Sequence, residues 1–412
     1  MKKLLIIGAG IGQINIIQKA KKMGFHVTVV SQLGDFPGLA LADDIIYCDI
    51  YDRKKVVDLA IEHHINAVTS DQNDLMMPTV AFVAEQLGLP GNTFEQVMSY
   101  CNKNKFKNNC DKLSIPVPKH ISVNSVDDDF SALDCCLPWI VKPADSQSSM
   151  GVQRIDRMSE LQPALKFALS KSPTHSAIIE EFFEGKEIVC EGYVEKGKYY
   201  LLGFADRKYF KLDKLMIPSQ TIFPSIVDKH ILEKIVAYEQ KMAEYIKPSF
   251  AIIHSEYLVN EKSGETRVVE SALRGGGVYI SSNLIPMSTG IDINEVLLAK
   301  AVGKTINTES IFFKRKNAAA GYVCFYLPEG VIQSVEGIEK LKSYNFIKLM
   351  SLDDIKVGEK CQEMVHKGMR KGPILVSGNN REELEKNIIT VQSTLKIEVA
   401  TKGGIISNII WE

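Results

Sequence analysis

The residues best placed to do chemistry lie in the stretch Ala251–Arg274, AIIHSEYLVNEKSGETRVVESALR. Two strand-like runs flank the turn Glu261-Lys262-Ser263-Gly264-Glu265, and a three-residue loop Lys262-Ser263-Gly264 suits Gly264 in a left-handed conformation. That register sets Glu256 directly opposite Glu270. Opposed Cβ atoms lie ~4.5–5.5 Å apart, so two carboxylates there repel each other. A hard divalent cation removes the repulsion, and two carboxylates plus nucleotide phosphate oxygens are a common way to hold Mg²⁺. Side chains alternate along a strand, so Ala272 and Arg274 share the face of Glu270. An arginine one strand period beyond the acids can neutralise phosphoryl oxygens. The competing interpretation is a surface hairpin with two solvated glutamates, and a one-residue slip would part them.

Three features upstream have the chemistry of a phosphate and nucleotide site. Lys103 opens a Lys/Asn-rich helix, and Lys142 ends the apolar strand Trp139–Lys142. A loop follows at once, with Ser146, Ser148, Ser149 and Gly151, whose small side chains let backbone N–H groups approach phosphates. Next comes Ile178-Ile179-Glu180-Glu181-Phe182-Phe183-Glu184-Gly185-Lys186-Glu187. Its backbone after the strand could hydrogen-bond an adenine, and Glu187 a ribose. Taken singly, each of these is more simply read as solvated lysines, a surface loop and a hairpin edge.

The elements that must position these groups follow from periodicity. Residues 1–100 alternate strands (Leu4–Ile7, Val27–Val30, Ile45–Tyr47, Ala67–Thr69) with helices such as Arg53–His63, which predicts a doubly wound parallel sheet. Residues 101–185 and 186–310 read as two α+β lobes, with an amphipathic helix at Ile231–Ile246. Residues 311–412 open on a strand at Gly321–Leu327 and close with a helix that begins at Asn380, where Asn380 and Glu383 form a capping-box-like pair. The fold class expected is therefore α/β followed by α+β. The Gly8-x-Gly10-x-Gly12 turn resembles a dinucleotide fingerprint, but Gln13 stands where the third glycine belongs and Ser31 where a ribose acid should close strand two, which argues against NAD.

Composition narrows the function classes. The 412 residues carry 49 Lys+Arg against 50 Asp+Glu, so there is no basic excess for nucleic acid. No apolar run approaches the ~20 residues of a membrane span. Eight scattered cysteines without a CxxC read as reduced thiols, which implies a cytoplasmic protein.

In their order, these features resemble the ATP-grasp superfamily over essentially the whole chain, in its L-amino acid ligase, carbamoyl-phosphate-synthase-like and purine-carboxylase-like branch. The order is Lys, Lys with a Ser/Gly loop, E-E-F-F-x-G-x-E, then two hairpin acids and an Arg. IIGAGIGQ, Ala42-Asp43 and Leu87–Gly91 are similar to the domain that precedes its core, and Lys371–Ile374 and Ser377–Asn380 to the one that follows. The resemblance implies a pre-ATP-grasp domain at 1–100, a core at 101–310 and a C-terminal domain at 311–412. It implies that Lys103 and Lys142 hold the nucleotide phosphates under a lid at Ser146–Gly151. Glu180, Glu181, Phe182 and Phe183 would form the adenine hinge, and Glu187 would be the ribose acid. Glu256 and Glu270 would ligate Mg²⁺, with Mn²⁺ as a substitute, and Arg274 would stabilise an acyl-phosphate transition state.

One position departs from the pattern. The family reads E-x-N-x-R where this chain has Glu270-Ser271-Ala272-Leu273-Arg274, so a metal-ligating Asn is replaced by Ala272. His254, opposite Ala272 in the expected register, or a water would fill that place. The activity implied is ADP-forming ligation of a small carboxylate to an amine. Alternatives are a carboxylase or formyl-type enzyme that uses bicarbonate or formate, and a nucleotide-binding regulator with weakened catalysis. The partners implied are small molecules, and a homodimer is the commonest closed assembly.

Overall fold

The computed structural model describes residues 2–130, 133, 135–145, 151–212 and 216–412. The N-terminal region holds a wholly parallel four-stranded sheet in the order Asp44–Tyr47, His26–Ser31, Lys3–Ile7, Ala67–Thr69. Leu4, Leu5, Ile6 and Ile7 are fully buried because helices cover both faces of a parallel sheet. Gly8 turns the chain at φ +92° into the helix Ile11–Lys22. Gln13 fills the mouth of this turn. Its Oε1 accepts the Gly10 N–H at 3.1 Å, and its Nε2 donates to the Asp71 carbonyl at 2.7 Å. The amide that a phosphate would need is thus already used, and the turn is fastened to the loop that follows strand Ala67–Thr69.

The next lobe is an antiparallel sheet of four strands, His120–Val123, Ala177–Glu181, Trp139–Pro143 and Gln153–Ile155, in that order. The helix Leu161–Lys171 packs on it through buried Leu161, Ala164, Leu165 and Ala168. An eight-stranded antiparallel sheet forms the centre of the molecule, in the order Glu265–Ala272, Phe250–Asn260, Lys186–Glu195, Lys198–Tyr209, Pro218–Phe223, Ala319–Phe325, Lys371–Gly378, Ile347–Met350. The expected boundary at residue 310 therefore falls between strands of one sheet. A smaller sheet, Lys360–Cys361, Gly330–Glu336, Lys396–Thr401 and Ile406–Asn408, completes the C-terminal region. The helix Arg381–Thr394 is capped by the Asn380 side chain, which accepts the Glu383 N–H at 2.9 Å, while Glu383 reaches back to the Asn379 amide at 2.9 Å. Among the described residues no helix is long and apolar enough to cross a membrane.

The 250–272 hairpin sets Glu256 opposite Glu270 and His254 opposite Ala272, as the sequence predicts. The route there differs. The loop has four residues, 261–264, and not three, because Asn260 pairs with Glu265. Asn260 makes the extra residue favourable: its Oδ1 accepts the amides of Lys262 (3.1 Å) and Ser263 (3.2 Å), and its carbonyl accepts the Gly264 N–H at 2.8 Å. A bulge between Tyr257 and Glu256, taken up at Val269, then restores the register at the acids. Gly264 has φ +70°, a conformation that costs an L-residue about 1 kcal/mol. Gly264→Ala should lower the melting temperature accordingly; an unchanged melting temperature would contradict the left-handed turn.

Candidate active site

A cleft of about 670 Å³ opens where the N-terminal region, the eight-stranded sheet and the C-terminal region meet. Lys103, Glu256, Glu270 and Arg274 all line it. So do Gly12 and Asp74 from the N-terminal region, Arg207 and His254 from the sheet, and Lys367 and Arg370 from the C-terminal region.

The acid pair is held among cations. Arg207 Nη1 bridges Glu256 Oε1, at 2.5 Å, and Glu187 Oε1. Burial alone would raise the Glu256 carboxyl, but Arg207 and then His254 outweigh it and hold it well below the usual range. Glu187 goes the other way: burial raises it, and the nearby Glu256 charge adds to that against the pull of Arg207. The Tyr209 hydroxyl also donates to Glu187. The expected ribose acid thus stands one charge away from the expected metal acids. Asp206, the neighbour of Arg207, points to the opposite face and is bound by Ser225 Oγ at 2.6 Å and Arg381 at 2.8 Å, which gives it a structural role.

His254 lies opposite Ala272 with both ring nitrogens on carboxylates, Nδ1 on Glu191 and Nε2 on Glu256 at 3.3 Å. Burial disfavours its charge, but Glu191 and the two hydrogen bonds raise the imidazolium to about 9. A ring that donates from both nitrogens has no lone pair for a metal. His254 therefore does not take the place of the missing Asn in this arrangement.

Arg274 is oriented from the N-terminal region. Its Nε and Nη2 form a fork on Asp74 at 3.1 and 2.8 Å. Asp71, fully buried, accepts the Gly275 N–H at 2.7 Å and the Ser281 hydroxyl at 2.8 Å. The 71–74 loop thereby braces the chain on both sides of the arginine.

Lys142 and Glu180 sit apart from the cleft lining, inside the 120–181 lobe. Glu180 is 3% exposed between Lys107 (2.7 Å) and Lys142 (2.8 Å). Burial raises its carboxyl, yet the two lysines bring it down to about 2. Lys107 is fully buried and was not singled out from the sequence, although it lies one helical turn beyond Lys103 on the same face. At the expected hinge, the Glu181 and Phe182 amides already donate to the carbonyls of Lys119 (2.9 Å) and Pro138 (3.0 Å). Arg154 lies over the Phe182 ring at 4.2 Å and Arg267 over the Phe183 ring at 4.8 Å. Ser146, Ser148 and Ser149 lie outside the described residues; Gly151 is buried at φ +79° against Pro143.

Among the described residues no group of three or more His, Cys, Asp or Glu could hold a metal ion. Two carboxylates alone do not make a protein cage, but they fit Mg²⁺ that keeps waters and phosphate oxygens as its other ligands.

With this geometry in view, residues 135–282 match the family model described as an ATP-grasp domain. The match covers less than half of the chain. Over 308 residues it is 27% identical to alanine–anticapsin ligase of Bacillus subtilis (strain 168), covering 66% of this chain and 64% of that one. It is 23% identical over 341 residues to the N-terminal section of the carbamoyl phosphate synthase large chain of Aquifex aeolicus (strain VF5), covering 74% and 59%. The alignments thus span about three fifths of the length of each of these two relatives. Among solved structures, L-amino acid ligase from Bacillus licheniformis superposes with a TM-score of 0.83 at 23% identity, over 96% of this chain and 98% of that one. The ATP-grasp fold expected from the sequence is therefore present.

The Lys107–Glu180–Lys142 trio has a pH signature. The Glu180 carboxyl falls from the ordinary 4.5 to about 2 on folding, so its stabilisation is fully present above pH 4.5 and is lost as pH falls through about 2. Glu180→Gln leaves two buried lysines unbalanced and should cost ~3–5 kcal/mol near neutrality. In denaturant titrations that gap should narrow steadily from pH 5 downward. A gap independent of pH would contradict the charged trio.

Proposed function

We propose that this chain is an ADP-forming carboxylate–amine ligase whose substrates are small and amino-acid-like. The observation that carries the reading is the opposed pair Glu256 and Glu270 in one cleft with Arg274 and Lys103, within and beside an ATP-grasp domain. The printed names of the relatives, alanine–anticapsin ligase and L-amino acid ligase, support the substrate class.

In this reading a substrate carboxylate oxygen attacks the γ-phosphorus of ATP. The new O–P bond forms as the bridging P–O bond breaks, and ADP leaves with the electron pair. An amine then attacks the acyl carbon, phosphate departs, and the nitrogen loses a proton. Mg²⁺ held by Glu256 and Glu270 would offset charge on the phosphates. Arg274, fixed by its fork on Asp74, presents its remaining donors to the acyl phosphate, so its orientation is set before substrate arrives. Lys103, at the first turn of its helix, binds phosphate as a point charge. Lys142, held by Glu180 apart from the cleft lining, would meet the nucleotide from the lobe that carries the hinge. The acyl phosphate has to be shielded from water, which would hydrolyse it.

The deciding test is ADP release with Mg²⁺, screened over amino acids and small carboxylates singly and in pairs. Release that requires one acid and one amine, with the condensed product found by mass spectrometry, is the expected outcome. Release driven by bicarbonate or formate would assign the carboxylase or formyl-type alternative, which the similarity to carbamoyl phosphate synthase favours. No release with any pair, while ADP still binds, would assign the regulator reading suggested by Ala272. In the active pair, Glu256→Gln and Glu270→Gln should each lower kcat by about 10²–10³-fold; a loss under twofold in both would refute the metal role.

A further inference from the structure

The C-terminal region brings to the cleft a cation that no reading of the sequence assigned. Lys367 opens the short helical turn Lys367–Met369, which lies immediately before the strand Lys371–Gly378 of the large sheet. Its position is fixed on both sides. The Gly368 amide donates to His366 Nδ1 at 3.2 Å, and the Met369 amide to the His366 carbonyl at 3.1 Å. Arg370 anchors the far end, with Nη1 on the Pro218 carbonyl at 2.6 Å and its guanidinium 5.6 Å from the centre of the Tyr322 ring. The turn is thus pinned to two strands of the central sheet, and Lys367 lines the same cleft as Glu256, Glu270 and Arg274.

Lys367 differs from its neighbours in one respect. Arg274 has Asp74, Arg207 has Glu187 and Glu256, and Arg370 has a carbonyl and a ring. For Lys367, no carboxylate among the described residues lies within ion-pair distance. Burial pushes its ammonium down, and the acids that act against this are Glu256 and then Glu270. A partly buried ammonium that lines the same cleft as Glu256 and Glu270, outside ion-pair distance of either, is placed to meet an anion that brings its own cation.

We propose that Lys367 is a further catalytic residue, whose ammonium binds the γ-phosphoryl oxygens as they pass from ADP to the carboxylate. The inference rests on the ligase reading above. No proton moves in this step: the O–P bond to the carboxylate forms, the bridging P–O bond breaks, and the lysine stays charged and donates throughout. The C-terminal region then contributes to the chemistry directly, through a residue beyond the matched ATP-grasp segment.

Calorimetric titration with Mg·ADP, with and without aluminium fluoride as a mimic of the transferring group, tests this without knowledge of the substrates. Wild type should bind the fluoride complex more tightly than Mg·ADP. Lys367→Met should lose about tenfold or more of that affinity and keep Mg·ADP binding within about twofold, with partial rescue in Lys367→Arg. Retained Mg·ADP binding also shows that the variant is folded. If Lys367 merely balances the acids in the empty cleft, Lys367→Met will keep the full fluoride increment, and the proposal is overturned while the nucleotide reading stands. Absence of any Mg·ADP binding in wild type would overturn the nucleotide reading and this proposal with it.

Discussion

Two carboxylates held face to face in a partly buried cleft repel each other, and much of this molecule's charge is arranged around that fact. Glu256 and Glu270 stand opposite because the hairpin places them so. Arg207 and His254 then surround Glu256 with positive charge, and His254 is in turn held by Glu191. Glu256 therefore stays ionised without a metal. Such a site is preorganised: the charges are fixed by folding, and little reorganisation would remain for the cation and nucleotide of the proposed reaction.

The groups that would act on substrate come from three parts of the chain and meet through polar contacts between those parts. The 71–74 loop grips Arg274 and Gly275, Gln13 grips the 71–74 loop, and the glycine turn grips Gln13. What resembles a nucleotide fingerprint at the N-terminus is, in this fold, the far end of a brace for the arginine. Arg370 does the comparable work from the other side.

Local order was readable from the sequence. Alternation and a turn signal placed Glu256 against Glu270, and this survived two local errors because they cancel: an extra loop residue supported by Asn260 and a bulge at Val269. The bulge falls where Phe250–Asn260 is also paired along Lys186–Glu195. Contacts between distant segments were not readable. Arg274 and Asp74 are 200 residues apart in the chain, and no local pattern links the 71–74 loop to the arginine. Lys107 looked like one more lysine in a polar helix, because only the tertiary fold shows that its face is turned inward onto Glu180. His254 was placed correctly in the register, but one of the two carboxylates that occupy its ring, Glu191, lies on another strand.

The central sheet runs without interruption from the 265–272 strand to the 347–350 strand, so residues 319–378 supply interior strands and not an appendage. Cutting the chain after residue 310 would strip the partner from Pro218–Phe223 and leave raw hydrogen-bonding edges on both fragments. The segment that matches the ATP-grasp domain and the C-terminal region therefore share one continuous sheet. Evolution could exchange the outer loops of such a protein freely, but it could not readily swap its C-terminal third for an unrelated module.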